Sequence, residues 1–368
     1  MKSVYGFLLL LFLTASFAQA THLKGGEIIA TYISGTTYSI KARLYLDMQN
    51  GEGAANALTS VVACMGDGNT KELTRTSISP LPLSHVSVAE FEAKYTFPSA
   101  GIFQIAVSLD NRSGGMLNLP NSMGTSQFIW TVINTQSPNS TPVLPYLAFV
   151  AGVRQVFTID LKPTVLDPDS ISARVARVSK PSPGACGVRM LDHTYLFPNE
   201  ISATGTFKIE PATNQLVWKA PEMIGEYIFA MVVTEWRNGV KVSESYREGV
   251  ISVIDKPGET VQVPPYESSE YGGVITAVPK GKSVEMTMAV EAYPVPTQDF
   301  VTVKAYSKKR AIIRLELIDM NGRIVREIAS KTPEILVQEE FDMRNLVKGM
   351  YLIRASNATD AVTQKVVR

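Results

Sequence analysis

The chain is short of the residues most chemistry needs. It has two cysteines in 368 residues, too few to staple a scaffold with disulfides. Three histidines, His22, His85 and His193, stand in no metal-ligand spacing, so no zinc site is expected. Charge of one sign is also missing. Lys and Arg total 35 against 34 Asp and Glu, a net charge of +1, which excludes the basic surplus of a nucleic-acid binder. Charged residues make up 19%, less than in an average domain, yet 45% apolar residues keep the composition globular. After residue 20 no stretch is apolar enough to span a bilayer, and no long amphipathic helix pattern appears.

The N-terminus reads as an address. Lys2 supplies a positive charge, residues 4–17 are an apolar run rich in leucine, and Ala18-Gln19-Ala20 follows. Small residues at Ala18 and Ala20 are what a signal peptidase reads, and the run is short for a membrane anchor. A secretory signal peptide over residues 1–20 is therefore expected, with cleavage after Ala20.

Almost everything beyond reads as strand. Tyr38, Ile40, Ala42, Leu44 and Leu46 alternate with polar residues, the mark of a half-buried strand. Residues 103–107 and 128–133 behave alike. Asn238-Gly239, between runs 225–236 and 241–253, predicts a hairpin, because both turn residues need positive φ. Asn321-Gly322 predicts another. Polar, proline-bearing residues 135–142 suggest a boundary, and the Pro- and Gly-rich segment 257–290 a mobile linker. The expected order is all-β: a first sandwich over residues 21–135, a second over 136–256, the linker, and a small β-sandwich over 291–368.

Residues 291–368 carry the most specific pattern. Tyr293-Pro294-Val295-Pro296 precedes a strand, Gly322-Arg323 sits in a hairpin, and Gly349 stands two residues before Tyr351. The chain closes on Lys365-Val366-Val367-Arg368. This resembles the type A C-terminal sorting domain of the type IX secretion system, with Val295 in place of the usual Asn. The resemblance implies an export address read by the type IX machinery, passage across the outer membrane, and cleavage of the domain. Release, or anchoring on surface lipopolysaccharide, would follow.

Residues 213–218, Pro221, 225–227 and 235–239 resemble cadherin-like immunoglobulin-like modules. Gly66-Asp67-Gly68 and residues 95–103 resemble a divergent PKD-type domain. The opening residues 21–28 are similar to gliding-motility-associated surface proteins. These resemblances imply a non-enzymatic surface protein serving adhesion or surface structure, with an extracellular ligand they do not name. The alternative is a glycan-binding module working beside surface enzymes.

The remaining candidates are sparse. Asp167 and Asp169, two residues apart, resemble an acidic calcium loop, although the six or more oxygens of a full site are not visible. No cofactor is therefore assigned. Trp218 and Trp236 could offer sugar-stacking faces. Cys186 near Asp192 and His193 invites a Cys–His nucleophile, but no oxyanion-hole signature accompanies it, so no catalytic residue is assigned. Cys64 and Cys186 fall in different predicted units, so a disulfide, which an oxidising periplasm would allow, would have to cross the boundary; two buried thiols are the expectation.

Overall fold

In a computed structural model, the described residues are 23–368 except 83, 111, 166–168, 270–271, 276–277 and 280–286. The signal-peptide residues Ala18 and Ala20, and Asp167, lie outside them. The protein is all-β, as expected. The first seven strands are β1 (Leu23–Ser34), β2 (Thr37–Asp47), β3 (Ser60–Cys64), β4 (Thr70–Pro80), β5 (Val86–Thr96), β6 (Ile102–Leu109) and β7 (Gln127–Asn134). A six-residue helix, α1 (Glu52–Ala57), interrupts them. The alternation read in β2 holds, with Tyr38, Ile40, Ala42, Leu44 and Leu46 all turned into the core.

The next group comprises β8 (Val150–Gly152), β9 (Val156–Asp160), β10 (Thr164–Val165), β11 (Ser170–Ala176), β12 (Ser179–Pro181) and β13 (Arg189–Leu191). After these come β14 (Thr206–Glu210), β15 (Gln215–Lys219), β16 (Gly225–Arg237) and β17 (Val240–Ile254). β16 and β17 form the expected hairpin, with Asn238 at φ 54° and Gly239 at φ 77°.

β17 belongs to both groups. It pairs with β7 through Ser243–Ser245 and with β1 through Arg247–Gly249, so the path β17-β1-β2-β5-β4-β3-β6-β7 returns to β17. One hydrophobic cluster runs from Leu23 to Val253. Buried side chains from both sides of the boundary expected at residue 135 thus pack into one cluster, and the described residues of 23–254 are called the body below.

Glycine makes the β1–β17 seam close. Gly25 faces Gly249, and a Cβ on Gly25 would stand 2.3 Å from the Glu248 carbonyl oxygen. Charge then fixes the seam. Glu27 on β1 is buried between Arg43 (3.0 Å) and Arg247 (3.2 Å), and Arg43 also meets Glu90 at 3.1 Å. Arg112 and Glu248 pair at 2.7 Å nearby, and the Tyr246 hydroxyl donates to Glu248.

The segment read as a domain boundary is largely buried. Ser140 and Thr141 lie against β1, where their hydroxyls accept from the backbone N–H groups of Tyr32 and Ala30. Asn139 donates to Glu235 and accepts from Arg237. Serine, threonine and asparagine satisfy strand backbone as readily as they satisfy water, so polar composition misled the reading.

A second correction concerns the cysteines. Cys64, at the end of β3, and Cys186, in the β12–β13 loop, form a disulfide with Cα atoms 5.6 Å apart. It closes a loop 122 residues long across the sequence boundary.

The linker is corrected in part. Residues 257–269 are strapped to the body: Val261 donates to the Arg154 carbonyl, Gly205 to Pro264, and Lys208 meets Glu267 at 2.7 Å. β18 (Gly272–Ile275) then pairs with β11, and β19 (Val278–Pro279) with β10.

The C-terminal domain is a sandwich with its own core. One sheet holds β20 (Met288–Tyr293), β21 (Phe300–Ala311) and β24 (Glu334–Asp342). The other holds β22 (Arg314–Asp319), β23 (Ile324–Ala329), β25 (Met350–Ser356) and β26 (Ala361–Val367), in the order β26-β25-β22-β23.

Candidate functional site

The motif residues of the C-terminal domain lie far apart in sequence, and register brings them to one end of the sandwich. Asp319 pairs with Tyr351, and Tyr351 with Val366, so the β22–β23 turn, the start of β25 and the chain end are neighbours. In the facing sheet, Phe300 pairs with Asp342, which sets the 294–299 loop at that same end. Within that sheet Met343 donates to the Asp299 carbonyl at 2.7 Å, and across the sandwich Thr297 donates to the Val367 carbonyl at 2.8 Å.

Each motif residue has a local task. Tyr293 ends β20 with Lys304 Nζ 5.1 Å from its ring centre. Pro294 and Pro296 both follow cis peptide bonds and turn the chain toward Thr297. Gly322, at φ 80°, donates to the Asp319 carbonyl, while the Asp319 carboxylate accepts from the N–H groups of Asn321 and Arg323. The predicted Asn-Gly hairpin is therefore present, with the turn running from Asp319 to Arg323. Gly349 exchanges two backbone hydrogen bonds with Arg368, at 2.9 and 3.1 Å. Tyr351 is buried and its hydroxyl donates to the Val347 carbonyl. Val366 is fully buried, and Lys365 is half-buried beside the Cys64–Cys186 bridge, where burial lowers its amine.

Arg368 was read from the sequence only as the last residue of the motif, without a role of its own. Its guanidinium donates to the carbonyls of Arg344 and Leu346, fastening the chain end to the loop before Gly349. Beside it the Asp342 carboxyl is held at about 2 by hydrogen bonds from Arg344. Gln364 was also missed. Its side-chain amide accepts from the Ala292 N–H and donates to the Ala292 carbonyl, bridging β26 to β20 as a strand backbone would. Only a three-dimensional register could have revealed either.

The body candidates are placed differently. Asp169 is buried, and Arg237 takes both its oxygens, at 2.8 and 2.5 Å, so it is a structural ion pair rather than an open calcium ligand. Among the described residues no three His, Cys, Asp or Glu groups gather in a way that could hold a metal. Trp218 is 2% exposed, enclosed by Phe207 and Tyr227, and offers no stacking face. Trp236, on a different sheet, donates its indole N–H to Ser172. The two do not form a joint platform. Cys186, being in a disulfide, has no thiolate for nucleophilic chemistry.

The motif residues thus gather around a pinned chain end, in a β-sandwich with its own core. Residues 291–368 match the family model of the secretion system C-terminal sorting domain, which implies export by the type IX secretion system to the cell surface or beyond. No curated protein matches the chain.

Among solved structures, dimeric latent PorU from Porphyromonas gingivalis aligns at 12% identity and a TM-score of 0.21, over 95% of this chain and 34% of that one. This chain thus spans about a third of its length. The BSP domain of a biofilm associated protein aligns at 8% identity and a TM-score of 0.18, over 98% and 69%. Sidekick-1 immunoglobulin domains 1–4 align at 10% and 0.15, over 84% and 65%. Scores this low establish no shared fold.

Proposed function

We propose that the chain is a non-enzymatic surface protein whose body, residues 21–256, serves adhesion or surface structure, while residues 291–368 act as its removable address. In this reading the signal peptide ends at Ala20, and the mature form is released or held on surface lipopolysaccharide. The body works without bound calcium, as a PKD- and cadherin-like scaffold presenting its loops to an extracellular ligand. The observation that carries the proposal is the gathering of the sorting motif around the pinned chain end, in a domain whose core is separate from the body's. The body supports a scaffold role through its closed strand path, buried ion pairs and cross-linking disulfide.

The test is terminal sequencing of surface material, together with an attachment assay on a strain lacking the protein. The mature form should begin at Thr21 and end between residues 256 and 291, and the deletion strain should attach poorly. Retention of Arg368 at the surface would sink the address reading. Normal attachment together with peptidase or glycosidase activity in the purified body would sink the adhesion reading.

A further inference from the structure

We infer that the body carries an acceptor groove for an extended acidic segment of a partner protein, and that β20 of the sorting domain fills this groove in cis. A cleft of about 530 Å³ lies between the body and the sorting domain, walled on the body side by β7, β13 and β17 and on the other by β20 and Gln364. Three body cations converge there on one carboxylate. Arg189 meets Glu244 at 2.8 Å, Lys241 at 3.4 Å and Arg174 at 4.0 Å. One carboxylate leaves two of the three positive charges without a counterpart within the body, and the partial burial of Lys241 and Arg189 strengthens their field.

The missing anion comes from the other domain: Lys241 pairs with Glu291 of β20 at 2.7 Å. The body sets this acceptor in advance. Arg189 is stacked 4.1 Å over the Trp130 ring, Trp130 stacks on Tyr246, and its indole N–H donates to Ser179.

The occupant's shape is also on view. β20 has a period of two: Met288, Val290 and Ala292 enter its own core, Ala289 faces Val242 of the body, and Glu291 and Tyr293 line the cleft. Ala289 packs with Val242 in a small apolar cluster that also holds Tyr306. The groove thus accepts a strand that offers a small apolar residue, an acid and an aromatic at alternate positions. Other direct ties between the domains include a single strand bridge, Gln364 to Ile102, the packing of Ile102 against the C-terminal core, and a hydrogen bond from Gln136 to the Ala361 carbonyl. While the tag is attached, its high effective concentration keeps the groove closed. With the tag displaced, an acidic segment of another protein takes the same seat.

A charge-swap series on the full chain tests this. The probe is a fluorescein-labelled peptide of residues 287–296, read by anisotropy, with an oligogalacturonate as a non-peptide anion. Glu291→Lys should repel Lys241, vacate the groove, and bind the peptide about tenfold more tightly than the unaltered chain. The double variant Lys241→Glu with Glu291→Lys should restore the cis pair and reject the peptide, and a melting transition of Glu291→Lys matching that of the unaltered chain shows that the single variant is folded. A peptide with Gln at position 291 should lose most of the binding. Equal binding by Glu291→Lys and the unaltered chain would overturn the inference. So would equal binding of the Glu and Gln peptides, or binding of the oligogalacturonate but not of the peptide.

Discussion

The body and the C-terminal domain are both β-sandwich material, yet they are closed in opposite ways. In the body the seam strands are over 200 residues apart, with Glu27 of β1 facing Arg247 of β17. The first sandwich therefore cannot close until the last body strand exists. In the C-terminal domain every pairing that builds the two sheets lies within residues 288–367. Short-range pairing folds faster and without help, whereas long-range pairing delays closure. An address has to be legible whatever its cargo, and a locally closed sandwich meets that need. The cargo instead relies on buried charge and a covalent bridge to hold distant strands together.

The sharpest way to break this comparison is at the chain end. Deleting residues 365–368 removes the fully buried Val366, the Thr297–Val367 bond and the Arg368 clasp. Surface export should be abolished, with the protein retained in the periplasm, while the body's melting transition moves by less than about 2 °C, as expected where the deleted residues are not part of the body's main core cluster. Fractionation with calorimetry reads both. A body transition lost along with the tag would show that the two cores are not independent.

Next in size is the seam. Glu27→Gln leaves Arg43 and Arg247 buried against a neutral group and should destabilise the body by about 3–5 kcal/mol in denaturant titration, leaving the C-terminal transition unchanged. Replacing both cysteines, Cys64→Ser with Cys186→Ser, should cost about 2–5 kcal/mol, again in the body alone. A cost near zero would mean that the closed strand path already restrains the 122-residue loop.

The smallest effect is one of pH. Burial by itself would raise the Glu244 carboxyl, but Arg189, Lys241 and Arg174 outweigh it and hold the group at about 2, below its ordinary 4.5. A depressed folded value means that this carboxylate stabilises fully above pH 4.5 and that its contribution fades as the pH falls toward 2. Glu244→Gln should flatten the acid limb of the stability curve in that window. An unchanged limb would show that the three cations do not depend on Glu244.

Where local chemistry decides, the sequence was readable. The alternation of β2, the Asn238-Gly239 turn and the ordered motifs of residues 291–368 depend on neighbours in the chain, and each is present as expected. What was misread depends on partners far away. Ser140 and Thr141 look like a linker until β1 arrives to use their hydroxyls. Cys64 and Cys186 look unrelated until β3 and the β12–β13 loop meet. Trp218 shows its burial only once Phe207 and Tyr227 are packed around it. In the C-terminal domain the motif residues were recognised, but not that they gather at one end, because that follows from register.

The strand pairing of β18 gives the position of any cut between body and tag a second meaning. β11 is bonded to β16 on one side and to β18 on the other, from Ile171↔Ile275 to Arg174↔Gly272. A cut after Ile275 leaves that outer row of amides and carbonyls occupied. A cut before Gly272 lets β18 depart with the tag and bares the row, which is a template on which another chain can lay a strand. The choice of scissile bond would then decide whether the outer edge of β11 stays covered or lies open.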